Sequence, residues 1–170
     1  MKKIFTIAGV TLFIVCGGIY IFFDMLITGH DEGLKANQEA SGKITTEEIA
    51  DFENEGQNPF GMDIKQEELS GNKIRSYIHG MSHQKVEASK KWGFYQIHDE
   101  RIDWLLNGLD KTDTINEDIY RDILIKWKAG DFSEVDKDHN TIWNMQGGTV
   151  GKTTGILSEE EEKEYINSKP

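Results

Sequence analysis

Residues 99–109 read Asp-Glu-Arg-Ile-Asp-Trp-Leu-Leu-Asn-Gly-Leu, and this stretch decides the fold class. Its apolar residues Ile102, Leu105, Leu106 and Leu109 recur at i, i+3, i+4 and i+7, so in a helix they share one face. Asp99 precedes the stripe, where a negative charge compensates the positive end of the helix dipole. The sequence therefore predicts an amphipathic helix that buries an apolar stripe.

Helical periodicity continues on both sides of this stretch. It is carried by three further sets of residues: Ile74, Tyr77, Ile78, Met81; Ile119, Tyr120, Ile123, Leu124, Trp127; and Val135, His139, Ile142, Trp143. A shorter helix with Val86, Ala88 and Trp92 is predicted to follow Ser82 and to stop at Gly93. Ser158 and Glu161 form a capping box for a last, acidic helix.

Strand signals are weak by comparison. The segment 94–97 is the only plausible strand, and one strand cannot form a sheet. We therefore predict an all-α domain over residues 70–170, a bundle of about five short helices that ends in the acidic one.

The N-terminal residues predict a membrane anchor. Residues 4–23 contain no charge, and a 20-residue helix is long enough to cross a bilayer. Lys2 and Lys3 lie before this run and Asp24 follows it, which places the N-terminus in the cytoplasm. The sequence predicts a cytoplasmic stub and transmembrane helix over 1–28, and a single-pass cell-membrane protein whose C-terminal domain is extracytoplasmic. Cleavage as a signal peptide is the alternative.

Residues 29–69 are predicted to form an acidic, flexible tether. Eleven acidic and three basic residues lie between positions 29 and 68, and large apolar residues are few. Thr45, Thr46, Glu47 and Glu48 look like a capped helix start, which indicates one short helix over 46–55.

Composition excludes several classes of protein. The net charge of -11 disfavours a nucleic-acid binder, and we predict no nucleic-acid partner. The single cysteine, Cys16, excludes an intrachain disulfide framework and a zinc site with several cysteines. Since the sequence also lacks a convincing catalytic motif, we predict no cofactor and favour a role other than catalysis.

The leading functional hypothesis is a module that binds an envelope protein or a cell-wall component. Its candidate surface combines large aromatic residues with a glycine-rich segment: Trp92, Trp104, Trp143, Gln146, Gly147, Gly148 and Lys152. Tryptophan offers apolar area and a polar N–H together, although helix packing also uses such residues.

The alternative hypothesis is a metal-binding protein or a small metal-dependent hydrolase. His79 and His83 are four residues apart, which places two imidazoles on one helical face, although Gly80 and Ser82 suggest a break there. A further ligand would come from His98, His139 or Asp138. For His139 a hydrogen-bonded core position is the competing interpretation, because it lies on an apolar stripe.

Several blocks together resemble a known family. They are residues 77–86 (YIHGMSHQKV), 91–94 (KWGF), 100–106 (ERIDWLL), 127–133 (WKAGDFS) and 138–149 (DHNTIWNMQGGT). The chain resembles an uncharacterised family, a domain of unknown function, of small membrane-anchored proteins from Bacillus-like Gram-positive bacteria. The resemblance covers residues 74–160 and implies the location and extent of the domain, with no activity to carry over.

Overall fold

The computed structural model describes residues 42–170, in which helices predominate over a single small sheet. The helices are α1 (Thr46–Asn54), α2 (Gly71–Ser82), α3 (Asp99–Leu109), α4 (Glu117–Lys128), α5 (Val135–Met145) and α6 (Glu159–Asn167). A 3-10 helix covers Gln66–Glu68, and the strands are β1 (Val86–Ala88) and β2 (Thr153–Ile156). The prediction of an all-α domain is confirmed in part: the described residues are mostly helical, and two short strands accompany the helices.

Side-chain caps fix where several helices begin. The Thr45 hydroxyl accepts from the amide of Glu48, and the Glu48 carboxylate accepts from the amide of Thr45. Ser158 and Glu161 form the same reciprocal pair before α6. Each such pair satisfies two backbone N–H groups that a helix start leaves without partners. The predicted starts of α1 and α6 follow from this local chemistry.

The core lies where two helix pairs meet. Helix α2 packs against α5, α3 packs against α4, and α2 also contacts α4. The buried side chains include most residues of the predicted stripes, namely Ile74, Tyr77, Ile78, Met81, Ile102, Leu105, Leu109, Tyr120, Ile123, Leu124, Trp127, Val135 and Ile142. Helical periodicity therefore identified most of the core.

The antiparallel sheet differs from the sequence-based expectation. Val86 pairs with Ile156 and Glu87 with Gly155, so the strands come from segments about seventy residues apart. The helix predicted after Ser82 is absent from this part of the chain, because residues 83–85 form a turn and β1 follows. Residues 94–97, the predicted strand, lie in the connection before α3.

The folded domain begins before residue 70, the boundary predicted from the sequence. Ile44, Ile49 and Phe60 are 4%, 1% and 0% exposed, and Phe60 stacks on Tyr77 with ring centroids 3.7 Å apart. Residues 42–69 are therefore packed on the domain. The prediction of a flexible tether is wrong for residues 42–69, because a few widely spaced apolar side chains pack this acidic segment onto the domain.

Within residues 42–170, no helix combines the length and the apolar character needed to cross a membrane. The predicted anchor at 4–23, the stub-and-anchor segment 1–28 and tether residues 29–41 lie outside the described residues.

The two ends of the described chain meet. The amide of Lys43 donates to the carbonyl of Pro170 at 3.0 Å, and the Lys43 ammonium donates to Asn167 on α6 at 3.3 Å. The segment before α1 is thereby held against the last helix.

Candidate metal centre

Helix α2 presents two histidines on one face. The helix continues to Ser82 with His83 as its C-cap, so the break suggested by Gly80 and Ser82 does not occur. One helical turn therefore brings the His79 and His83 rings to a centroid distance of 4.7 Å.

Helix α5 supplies the third histidine. His139 is fully buried where α5 packs against α2, and its Nε2 lies 3.0 Å from Nε2 of His79. Each of the three histidines offers one ring nitrogen, and these atoms all lie within 4.8 Å of one another. In a tetrahedral zinc site, Zn–N bonds of about 2.0–2.1 Å place two nitrogens roughly 3.3 Å apart. The closest pair already has nearly that separation.

The other ring nitrogen of each histidine faces an oxygen. Nδ1 of His83 donates to the carbonyl of Gly93 at 2.7 Å, and Nδ1 of His79 donates to the side-chain oxygen of Gln146. Nδ1 of His139 faces the side-chain oxygen of Asn140 at a longer distance of 3.4 Å. Such partners orient the ligating imidazoles of metal sites and select their tautomer.

This arrangement assigns the protons. A carbonyl or amide oxygen only accepts, so an Nδ1 beside it carries the hydrogen and leaves the lone pair on Nε2. With both Nδ1 atoms protonated in this way, the Nε2 lone pairs of His79 and His139 would face each other across 3.0 Å. Lone pairs in contact repel, and a cation between them removes that repulsion.

Burial keeps the three imidazoles neutral. It lowers the pKa of His83 to about 3 and the pKa of His139 to about 4. It also lowers the pKa of His79, although the hydrogen bond with Gln146 acts in the opposite direction. Neutral imidazole is the form that binds a metal, so protons compete weakly with a metal ion here at neutral pH.

The Gly93 carbonyl is held beside His83 because the Tyr95 ring packs closely against the backbone of α2 at Gly80. A Cβ on Gly80 would lie 2.6 Å from the ring of Tyr95, and the Tyr95 amide donates to the carbonyl of Gly80 at 3.2 Å. The missing side chain at Gly80 lets the 89–98 connection pack along α2. Gly93, with φ +77°, turns the chain so that its carbonyl meets His83.

Two predicted ligands lie elsewhere. Asp138 is next to His139 in sequence, but its carboxylate pairs with the Lys126 ammonium at 2.8 Å and accepts from the Trp127 indole at 3.0 Å. Consecutive helical residues point about 100° apart, which explains why Asp138 faces α4 and His139 faces α2. His98 precedes α3 and bonds the carbonyl of Ile44 through Nε2 at 2.9 Å.

The predicted binding residues lie in different surroundings. Trp92 is 68% exposed, whereas Trp104 is half-buried with its ring centroid 5.9 Å from that of Phe60. Trp143 is half-buried on α5 and its indole donates to the carbonyl of Val150 at 2.8 Å.

The remaining members of that set are in or near the glycine-rich segment after α5. Gln146 and Gly147 are exposed at the end of α5, and Lys152 is exposed before β2. A Cβ on Gly148 would lie 2.3 Å from the Trp143 ring, so this glycine packs beneath the indole. Of the set, Gln146 reaches the histidine cluster.

Sequence reasoning missed two residues of the site. Asn140 faces His139 and also accepts from the amide of Thr153 at 3.1 Å, which connects α5 to β2. Gly93 acts through its carbonyl. A backbone carbonyl carries no sequence signal. The role of Asn140 also cannot be read from the sequence, because it depends on the position of β2, which pairs with the distant strand β1.

The fold and the cluster define a small, mostly helical domain with three histidines on two packed helices. Residues 78–167, more than half of the chain, match the model of a family of unknown function (DUF6241), and the chain belongs to this family. The matched region contains all three histidines. Searches of the curated proteins and of the solved structures found no match.

Proposed function

We propose that this protein binds a divalent transition metal ion through Nε2 of His79, His83 and His139. The observation that carries the proposal is the convergence of one ring nitrogen from each histidine within 4.8 Å, together with an oxygen facing each Nδ1. A buried polar atom normally has a hydrogen-bond partner, and a metal ion would provide the one that these nitrogens share.

The ligand chemistry selects the class of metal. Imidazole nitrogens suit zinc, copper, nickel and iron, whereas calcium and magnesium prefer oxygen ligands. Three histidines without a thiolate agree with zinc, which binds neutral imidazole without a geometric preference of its own. We therefore propose a site for zinc or a similar divalent transition metal ion.

A core of hydrogen-bonded histidines is the competing interpretation of the same geometry. It requires a hydrogen on Nε2 of either His79 or His139. In that ring, Nδ1 would then lose its hydrogen and its bond to the neighbouring oxygen, or the ring would carry both hydrogens and a positive charge. Burial disfavours the charged ring, since it lowers the pKa of His139 to about 4. Metal binding satisfies every ring nitrogen without either cost.

A module for an envelope partner is the second candidate function. Trp92 is 68% exposed, and tryptophan is enriched at protein interfaces, which favours this candidate. We also propose that residues 4–23 anchor the chain and that the domain lies outside the cytoplasm, on the strength of their uncharged length and the preceding lysines. Protease treatment of intact protoplasts tests this location, because a protected domain would contradict it.

Titration calorimetry of the full chain with Zn²⁺ tests the metal proposal. We expect a one-to-one complex with the wild type and an affinity lower by roughly a hundredfold or more in His79→Ala. His79 is chosen because it is half-buried, so its replacement should destabilise the fold less than replacement of the buried His83 or His139. His98→Ala is the matched control, since His98 lies outside the cluster. Equal affinities for the two variants, or heat indistinguishable from dilution in the wild type, would refute the proposal.

A further inference from the structure

The histidine cluster provides three ligands to a metal ion. Among residues 42–170, the convergent group of histidine, cysteine and acidic side chains contains His79, His83 and His139. The two predicted alternatives are occupied, Asp138 by Lys126 and Trp127, and His98 by the carbonyl of Ile44. Zinc needs at least four ligands, and sites with three protein ligands complete the shell with water or substrate.

The cluster lies close to solvent on one side. His83 and His139 are buried, but His79 is half-buried and its partner Gln146 is exposed. Gln146 lies at the end of α5, before a turn in which Gly147 has φ +69°. The Nδ1 side of the His79 ring therefore lies near the protein surface.

A fixed cation lies beside the same cluster. The Lys91 ammonium donates to the backbone carbonyl of His83 at 3.0 Å and lies 3.9 Å from the centroid of the Tyr165 ring. Because that carbonyl belongs to His83, the ammonium lies beside one of the three proposed ligands. Lys91 is thus held in place by α2 on one side and by α6 on the other.

We propose that the metal ion held by His79, His83 and His139 keeps an open coordination position that takes a small anion, and that Lys91 favours the anion through its charge. This inference rests on the proposed metal binding. Three neutral imidazoles leave the full charge of a divalent ion in place, and the nearby ammonium adds to it. The ligand class is a monovalent anion, including the hydroxide formed when a bound water releases a proton to solvent.

Azide titration of the full chain loaded with Co²⁺ tests this inference, because the visible d–d bands of Co²⁺ report its coordination shell. We expect azide to shift these bands saturably in the wild type. In Lys91→Gln the azide dissociation constant should rise by roughly tenfold, the loss of one nearby charge in a medium of intermediate dielectric. Lys90→Gln, which removes an exposed neighbouring charge, should match the wild type.

A charge-preserving variant separates electrostatics from packing. Lys91→Arg should keep the azide affinity within about threefold of the wild type, because the positive charge remains. Bands that stay unchanged up to high azide concentration, in a protein that binds Co²⁺, would overturn the open position and leave the metal proposal intact. Equal azide affinities in Lys91→Gln and Lys90→Gln would overturn the role of Lys91. Failure to bind Co²⁺ would overturn both proposals.

Discussion

The Nε2 atoms of His79 and His139 lie 3.0 Å apart, although the two residues are sixty positions apart in the chain. The contact exists only when α2 packs against α5, so a metal bound there binds the folded state selectively. A ligand that binds the folded state alone stabilises it by about 2.7 kcal/mol at one hundred times its dissociation constant. Metal binding at this site would therefore be coupled to folding.

Replacing Gln146 should lower the affinity for the metal ion without removing a ligand. In Gln146→Leu, Nδ1 of His79 loses its acceptor, and loss of such an outer partner typically lowers metal affinity about 10- to 100-fold. Calorimetry with Zn²⁺ measures the change. Asn144→Leu is the control, since Asn144 is an exposed residue of the same helix. An unchanged affinity in Gln146→Leu would show that the hydrogen bond does not orient the ring.

Asp138 should matter for stability and not for the metal. In Asp138→Asn the negative charge that pairs with Lys126 is lost, and we expect a loss of about 1–3 kcal/mol in the free energy of unfolding. Zn²⁺ affinity should stay within about twofold of the wild type, because the carboxylate faces α4. Urea unfolding and calorimetry measure the two quantities, with Asp136→Asn on the same helix as the control. A large loss of Zn²⁺ affinity would place Asp138 among the ligands.

The stability of the metal-free protein should fall as the pH is lowered. His83 and His139 have pKa values of about 3 and about 4 when folded, below the unfolded value of about 6.5. Between these limits the unfolded chain binds more protons than the folded one, so stability is full above about pH 6.5 and declines below it. Each histidine contributes a slope of up to about 1.4 kcal/mol per pH unit.

Urea titrations at several pH values measure that slope. His139→Gln removes one of the two groups, so its slope should be smaller than that of the wild type by up to about 1.4 kcal/mol per pH unit. Parallel pH dependences in the two proteins would contradict the burial of a neutral imidazole at position 139.

Phe60→Ala tests the early start of the folded domain. Phe60 is fully buried against the Tyr77 ring, and truncation of a buried phenylalanine costs about 3–5 kcal/mol. Phe52→Ala serves as control, because Phe52 is half-buried and its truncation should cost less. Thermal or urea unfolding measures both variants. A loss of less than about 1 kcal/mol in the free energy of unfolding of Phe60→Ala would show that residues 42–69 are not packed on the domain.

Gly80→Ala should destabilise the domain even though alanine is the better helix former. The added Cβ would lie 2.6 Å from the Tyr95 ring, and overpacking of this kind costs about 1–3 kcal/mol, more than the gain in helix propensity. Ser76→Ala, at an exposed position of α2, provides the comparison. A stabilised Gly80→Ala variant would show that the Tyr95 ring moves aside at no cost.

Periodicity and caps explain how much of the fold the sequence predicts. Helix α3 was recognisable because Ile102, Leu105 and Leu109 follow the helical repeat, and α6 because Ser158 and Glu161 form a local pair. The pairing of Val86 with Ile156 depends on a contact between distant segments, and three or four residues per strand provide too short a pattern to recognise.

The candidate site was predictable in part for the same reason. His79 and His83 share a helical face by their spacing alone, once the helix is known to continue through Gly80. The inclusion of His139 and the exclusion of Asp138 depend on which face of α5 meets α2. That choice follows from the packing of the whole domain.

The hydrogen bond between Lys43 and Pro170 makes the described chain nearly a closed ring. Because these two positions adjoin, residues 43–170 can be circularly permuted by joining Pro170 to Lys43 and opening new ends in an exposed loop. Ile115, 84% exposed between α3 and α4, offers such an opening. In that permutant the segment with His139 would precede the segment with His79, and both histidines would still meet. We therefore expect the histidine cluster to form from the same packed surfaces even when the order of the segments along the chain is changed.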